Sequence, residues 1–137
     1  MIGATIGPVT LPARTRLLLI DDCISQRDLY EWVLRGQFEV VTAARGEEGM
    51  ELAKSVHPDV IVLDVKMPGL DGWETCQQLT SHPATSDIPV ILLTGADDTD
   101  LVQRANHVGA AALLKKPCSA DRLNETIQSC VHDPRRV

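Results

Sequence analysis

Short runs of apolar residues alternate along the chain with longer segments in which apolar residues recur every three or four positions. A continuous apolar run is typical of a strand buried on both faces of a parallel sheet, whereas the longer spacing predicts a helix with one packed face. Five such pairs follow one another between Arg16 and Val131. This order predicts one α/β domain whose right-handed crossovers cover both faces of a parallel sheet.

The five predicted strands are short and largely apolar. They are Leu17 to Ile20, Phe38 to Ala43, Val60 to Leu63, Pro89 to Thr94, and Ala111 to Lys115. The third strand leads directly into an aspartate. Since aromatic residues make up only 3% of the chain, we expect a core of aliphatic side chains.

The helical segments carry apolar residues at helical spacing. In the first, Ser25 is the candidate N-cap and Gly36 the candidate stop. Leu29, Trp32 and Val33 form its predicted packed face. The later helices have predicted packed faces of Met50, Ala53 and Val56; Trp73, Cys76 and Leu79; Leu101, Ala105 and Val108; and Leu123, Ile127 and Cys130.

Charged and hydroxyl side chains occur where the predicted strands end. They are Asp21 and Asp22 after the first strand, Asp64 after the third, Thr94 at the end of the fourth, and Lys115 and Lys116 at the end of the fifth. Functional sites of open α/β sheets lie at this edge. Three carboxylates brought together repel one another, and Mg²⁺ relieves that repulsion. With an ammonium and a hydroxyl nearby, the set predicts a phosphoryl-transfer site in which an aspartate can be the nucleophile.

Each of these residues also has a plain structural explanation. Asp21 and Asp22 are typical helix caps, and a lone Asp64 is a common turn residue. Thr94 alone is an ordinary strand residue, and Lys116 alone an ordinary solvated charge. Their shared position at one edge of the sheet favours the functional interpretation.

Four segments resemble the receiver domain of two-component response regulators, of the chemotaxis-regulator-like type. They are the acidic pair after the first strand, Leu63 to Gly72 (LDVKMPGLDG), Ile88 to Thr94 (IPVILLT) and Lys116-Pro117. The resemblance covers about Arg16 to Val131. It implies a single doubly wound, five-stranded parallel sheet of (βα)5 type with the flavodoxin-like strand order 2-1-3-4-5.

The resemblance also implies a role for each phosphate-facing residue. Asp64 would accept a phosphoryl group from a sensor histidine kinase or a histidine phosphotransfer protein. Thr94 would turn its hydroxyl towards the bound phosphate, and Lys116 would form an ion pair with it. Lys115 would be a solvated neighbour. The bond between Lys116 and Pro117 would be cis.

The implied cofactor is Mg²⁺. Asp21, Asp22 and Asp64 would bind it together with the backbone carbonyl of Lys66. The domain would be a signalling phosphoacceptor rather than an enzyme, although it would catalyse its own phosphorylation and dephosphorylation. Phosphorylation would switch binding of an unidentified downstream protein through the face of the fourth and fifth strands.

The sequence departs from the family pattern at several positions. Leu113 stands where members often have a switch tyrosine or phenylalanine, so coupling through an aromatic side chain is not expected. Cys118 replaces a common phenylalanine and is predicted to be a small core or cap-adjacent residue. Lys66 and Ala96 occupy positions that in the family tune the lifetime of the phosphoryl group.

Charge and cysteine content narrow the function classes. Thirteen Lys and Arg against nineteen Asp and Glu give a formal charge of −6, which argues against direct nucleic-acid binding. The four cysteines form no C-x-x-C pair, so reduced thiols in a cytoplasmic protein are expected. No apolar run reaches the roughly 20 residues of a membrane span.

The predicted organisation is a flexible tail over residues 1–14, a receiver domain over 15–132 and a short tail over 133–137. The last segment is too short for an output domain, which leaves a stand-alone receiver or a receiver excised from a larger protein. A phosphate shuttle or sink in a phosphorelay is the alternative role within signalling. An aspartyl-phosphate-type hydrolase is disfavoured because its D-x-D motif is missing, and a nucleotide- or flavin-binding domain because no glycine-rich loop follows the first strand.

Overall fold

The computed structural model of the chain describes residues 14–95 and 100–132, within which strands and helices alternate. The strands are β1 (Arg16–Ile20), β2 (Glu39–Ala43), β3 (Val60–Asp64), β4 (Val90–Thr94) and β5 (Ala112–Lys115). The helices are α1 (Ile24–Leu34), α2 (Gly46–Val56), α3 (Gly72–Ser81), α4 (Leu101–His107) and α5 (Ala120–Val131). Every predicted element is present. The predicted tails lie outside the described residues except for Arg14, and that division of the chain stays a prediction.

All strand pairs in the sheet are parallel, and the strand order is β2-β1-β3-β4-β5. This confirms the implied doubly wound arrangement. The order reverses between β1 and β3, where Ile20 pairs with Leu63. Asp64, the last residue of β3, pairs with Leu93 of β4, so the ends of the three central strands lie side by side.

Alternate residues of each strand pack into two separate hydrophobic layers, as the period of two requires. Leu18 and Ile20 of β1 belong to the layer covered by α2, α3 and α4. Leu17 and Leu19 belong to the layer covered by α1 and α5. Every residue of β3 is buried, which explains its uniformly apolar sequence up to the aspartate.

The predicted packed face of α1 is wrong for two of its three residues. The side chains of Leu29 and Trp32 are 58% and 65% exposed, and only Val33 packs against the core. The reason is that α1 has apolar residues on two sides, and the side that carries Leu34 contacts the sheet. Periodicity alone does not choose between two apolar sides of one helix.

The start of α1 also differs from the prediction. Cys23 is the N-cap residue and makes no side-chain capping bond, while Ser25 lies within the helix. Arg35 is the C-cap, so Gly36 stands just past the end of the helix, as predicted. Because the helix begins this early, its first turn lies directly beside the acidic pair.

Candidate functional site

Three carboxylates meet beyond the carboxyl ends of β1 and β3. One oxygen from each of Asp21, Asp22 and Asp64 lies within 4.8 Å of the others. Asp21 is 1% and Asp64 6% exposed, whereas Asp22 is more accessible. The structure therefore brings together the three acidic residues that the sequence selected.

The carboxylate of Asp21 is buried and only partly satisfied. One oxygen accepts the backbone N–H of Cys23 at 2.9 Å, whereas Oδ2 is buried without a hydrogen-bond partner. Burial is the main cause that raises the pKa of this carboxyl above 3.8. The N–H of Cys23 and the charge of Lys116 oppose the rise, and the charges of Asp64 and Asp22 add to it.

The donor set fits a divalent cation. A buried carboxylate oxygen without a partner costs about 1–3 kcal/mol, more when it is charged. Asp21 Oδ2 has this orphaned position and lies in a group of oxygen donors, which are the ligands that Mg²⁺ prefers. The accessibility of Asp22 leaves an entrance from solvent.

Lys116, the residue directly after β5, contacts the acidic cluster. Its Nζ lies 2.9 Å from Oδ1 of Asp64 and 2.6 Å from Oε1 of Gln26 on α1. Its backbone N–H donates to the carbonyl of Thr94 at 2.8 Å, which connects the ends of β4 and β5. The peptide bond to Pro117 is cis, as the resemblance implied.

An open groove of about 560 Å³ lies beside the cluster. Its walls include Lys66, Thr94 and Trp73, and Thr94 is only 2% exposed overall. Arg104 of α4 places its guanidinium carbon 4.6 Å from the centre of a Trp73 ring, a cation–π contact that joins α3 to α4. The walls of the groove carry two cationic side chains, Lys66 and Arg104, and one anionic side chain, Asp71.

The segment between β3 and α3 is shaped by close backbone packing. Gly72 donates its N–H to the carbonyl of Val65 at 2.8 Å. A Cβ at Gly72 would lie 2.4 Å from the carbonyl oxygen of Asp64, so only glycine fits without moving the strand end. Asp71 accepts the N–H of Glu74 and caps α3. The Asp-Gly pair of the motif therefore holds the main chain around Asp64.

The remaining sequence candidates have different outcomes. Leu113 is half-buried on β5, where it pairs with Leu92 and packs against the layer of α2, α3 and α4. Lys115 is exposed. Cys118 is half-buried and immediately precedes Ser119, the N-cap of α5, as predicted. Ala96 lies outside the described residues.

None of the four cysteines forms a disulfide. Burial raises the pKa of Cys76 to about 12, so this thiol stays protonated near neutral pH. Burial also raises the pKa of Cys118. Among the described residues, no helix is both long and apolar enough to cross a membrane.

Two residues of α1 contact the site without having been selected from the sequence. Gln26 accepts a hydrogen bond from Lys116, and Arg27 donates to the backbone carbonyl of Asp21 at 2.8 Å. Lys116 lies 90 positions from Gln26, and no local pattern indicates such a contact. Predicting these contacts would have required knowing that α1 begins at Ile24.

Comparison with known proteins agrees with this geometry. The sequence model of one protein family, the response regulator receiver domain, matches residues 17–128 of this chain. The chain is 40% identical over 117 residues to the probable transcriptional regulator ycf27 of Cyanophora paradoxa, covering 85% of this chain and 48% of that protein. It is 36% identical over 118 residues to protein PilH of Pseudomonas aeruginosa, covering 83% of this chain and 95% of that protein. The chain spans about half to two thirds of the length of the first four curated relatives it matches.

Solved structures show the same fold. Chemotaxis protein CheY4 of Vibrio cholerae superimposes with a TM-score of 0.81 at 32% sequence identity, covering 86% of this chain and 99% of that one. A receiver domain protein from Clostridium thermocellum gives a TM-score of 0.81 at 29% identity, covering 88% and 97%. Since the family model spans residues 17–128, which include all five strands and the three clustered carboxylates, this chain belongs to the response regulator receiver domain family.

Proposed function

We propose that this domain accepts a phosphoryl group on Asp64 from a phosphohistidine of a sensor histidine kinase or a histidine phosphotransfer protein. One observation carries the proposal: the carboxylate of Asp64 lies beside two further carboxylates and 2.9 Å from the ammonium of Lys116. An aspartate oxygen can attack phosphorus and form an acyl phosphate. The N–P bond of the donor breaks, the O–P bond to Asp64 forms, and the donor nitrogen keeps the electron pair.

The acidic residues form the ligand set that we assign to Mg²⁺. They are Asp21, Asp22 and Asp64, with the backbone carbonyl of Lys66. When bound, Mg²⁺ supplies positive charge that offsets the repulsion between these carboxylates and the oxygens of the incoming phosphoryl group. The unpartnered oxygen of Asp21 supports the assignment.

Thr94 and Lys116 act on the phosphoryl group after transfer. Phosphorylation replaces the single negative charge of the Asp64 carboxylate with about two on the phosphoryl group, and it adds strong acceptor oxygens to the site. The ammonium of Lys116 and the hydroxyl of Thr94 then move towards those oxygens. Because the N–H of Lys116 already donates to the carbonyl of Thr94, the ends of β4 and β5 move together and change the face presented to a downstream protein.

We also propose the boundaries of the domain and the compartment in which it acts. Residues 15–132 form the receiver domain, which acts in the cytoplasm, where its kinase partners present their phosphohistidine. It is a signalling phosphoacceptor that catalyses its own phosphorylation and dephosphorylation, with no separate substrate to turn over.

Incubation with acetyl phosphate and MgCl₂ tests the chemistry without a cognate kinase. Intact-mass measurement is expected to show a gain of one phosphoryl group, and EDTA is expected to prevent it. Hydroxylamine is expected to remove the group, since it cleaves acyl phosphates and leaves phosphate esters intact. If neither acetyl phosphate nor any of the organism's histidine kinases labels the protein, the proposed function is wrong.

The outward side of α1 fits the protein that carries the phosphohistidine. Ile24, Leu29 and Trp32 are 66%, 58% and 65% exposed, an unusual amount of apolar surface for one short helix. Leu29 and Trp32 are neighbours on the helix surface because they are three residues apart. The surface begins two residues after Asp22, on the helix that starts beside the carboxylates that a donor histidine has to reach.

Trp32→Ala is expected to slow phosphotransfer from a cognate kinase or phosphotransfer protein by about tenfold or more, since large aromatic side chains dominate binding at interfaces. The rate with acetyl phosphate should not change, because this small donor needs no docking surface. Val102→Ala is the matched control: Val102 is also 65% exposed, but lies on α4. Equal slowing with both donors would point to damage at the site and not to docking.

A further inference from the structure

Lys116 is held by two acceptors that come from different parts of the chain. Its Nζ lies 2.9 Å from Oδ1 of Asp64, and 2.6 Å from Oε1 of Gln26 in the first turn of α1. An ammonium has three N–H donors and no acceptor, so the amide oxygen of Gln26 must face it. Three donors are enough to serve both of these oxygens and one oxygen of an incoming phosphoryl group.

The hydrogen bond to Gln26 restricts the rotamers that the Lys116 side chain can adopt. A lysine side chain carries about 2 kcal/mol of rotamer entropy, and one ion pair to Asp64 fixes only the distance to that carboxylate. A second acceptor on another element also fixes the direction from which the ammonium approaches. The side chain of Lys116 is only 18% exposed, which limits the access of water to its donors, although Gln26 itself is exposed. Transfer sites gain rate when charged groups are held in place before the reaction begins.

We propose that Gln26 is a positioning residue: its side-chain carbonyl holds the Lys116 ammonium beside Asp64 in the orientation that meets the incoming phosphoryl group. The proposal rests on the proposed phosphoacceptor function and deepens it. Gln26 acts through Lys116 and touches neither the three carboxylates nor the groove, as far as the described contacts show. It therefore affects the rate of phosphoryl transfer without affecting affinity for Mg²⁺.

Two substitutions at this position separate the acceptor oxygen from the bulk of the side chain. Gln26→Met keeps similar length and volume but removes the acceptor. Gln26→Glu restores an oxygen at the same distance along the side chain, and high ionic strength screens its added charge. Gln77→Met is the matched control, because Gln77 is an exposed glutamine on another helix, α3.

The test measures the rate of phosphorylation by acetyl phosphate at saturating MgCl₂ and high ionic strength, with Mg²⁺ affinity by calorimetry. Gln26→Met should be slower by about three- to tenfold, the effect of losing one net hydrogen bond. The phosphorylation rate of Gln26→Glu should stay within about twofold of the rate of the unmodified protein. Mg²⁺ affinity and the thermal unfolding midpoint should not change in either variant, and Gln77→Met should behave like the unmodified protein.

The possible failures are distinguishable. If the unmodified protein takes no phosphate from acetyl phosphate or kinase, the proposed function itself is wrong. If it does and Gln26→Met is equally fast, Gln26 does not position Lys116. If Gln26→Met and Gln26→Glu are slowed alike, the side chain acts through packing and not through its oxygen, and the inference is also overturned.

Discussion

Asp64→Asn is expected to abolish phosphoryl incorporation, with a loss of at least about 100-fold for both acetyl phosphate and a kinase donor. A carboxamide has no anionic oxygen to attack phosphorus and cannot form an acyl phosphate. The substitution changes shape very little, so the fold should be kept. Intact mass after incubation with donor and MgCl₂, together with base-labile phosphate, measures the effect.

A matched control for this prediction lies in the same segment of chain. Asp71 caps α3 by accepting the N–H of Glu74, and asparagine is an equally good cap. Asp71→Asn should therefore still take up one phosphoryl group. Incorporation in Asp64→Asn at the rate of the unmodified protein would assign the phosphate to another residue.

Asp21→Asn is expected to stabilise the domain in the absence of Mg²⁺ by about 1–2 kcal/mol, since it relieves an unsatisfied buried oxygen and the repulsion of two carboxylates. The amide oxygen can keep the bond from Cys23, while the amide nitrogen takes the position of Oδ2 and can donate towards Asp64. The same change should remove most of the stabilisation that Mg²⁺ gives the unmodified protein. Urea unfolding with EDTA or with MgCl₂ measures both effects.

The pH dependence of stability provides an independent readout of Asp21. Its pKa in the folded protein is raised above 3.8, the ordinary value that applies to the unfolded chain. Between pH 3.8 and the pKa of the folded state, the folded protein therefore binds more protons than the unfolded chain. The free energy of unfolding contributed by this group therefore falls as pH rises through that window and stays low above it. With EDTA present, Asp21→Asn should lose this part of the pH dependence. The facing charges on Asp22, Asp64 and Lys116 remain in the variant.

Asp71→Asn is again the control, because its carboxylate is outside the three-carboxylate cluster. It should keep both the Mg²⁺ stabilisation and the pH dependence of the unmodified protein. Destabilisation of Asp21→Asn in EDTA, with an unchanged response to Mg²⁺, would contradict the assignment of Asp21 as a ligand of the cation.

The fold was readable from the sequence because its signals are local and repeated. Val60 to Leu63 is a continuous apolar run, the pattern expected of a central strand that is covered on both faces. In the structure, every residue of β3 is buried. Turn residues and helix caps then bound each element. The strand order came from the resemblance and not from periodicity, since periodicity does not say which strands are neighbours.

The candidate site was predictable where a residue follows a strand directly. Asp21 and Asp64 lie together because the ends of neighbouring parallel strands share one edge. Gln26 was not predictable, because its contact with Lys116 depends on where α1 starts and how it leans over the sheet. Trp32 was misplaced for the related reason that two sides of α1 are apolar and packing decides between them.

The stacking of Arg104 on Trp73 gives the domain an optical probe. The chain has two tryptophans, and Trp73 is 7% exposed whereas Trp32 is 65% exposed. Indole emission depends on nearby charge and on contact with water. The fluorescence of Trp73 therefore reports on the groove beside Thr94 and on the position of α4. The fluorescence of Trp32 reports on the binding of any molecule to the outward side of α1. The two tryptophans thus give fluorescent signals from two different sides of the domain, the groove beside Thr94 and the outward side of α1.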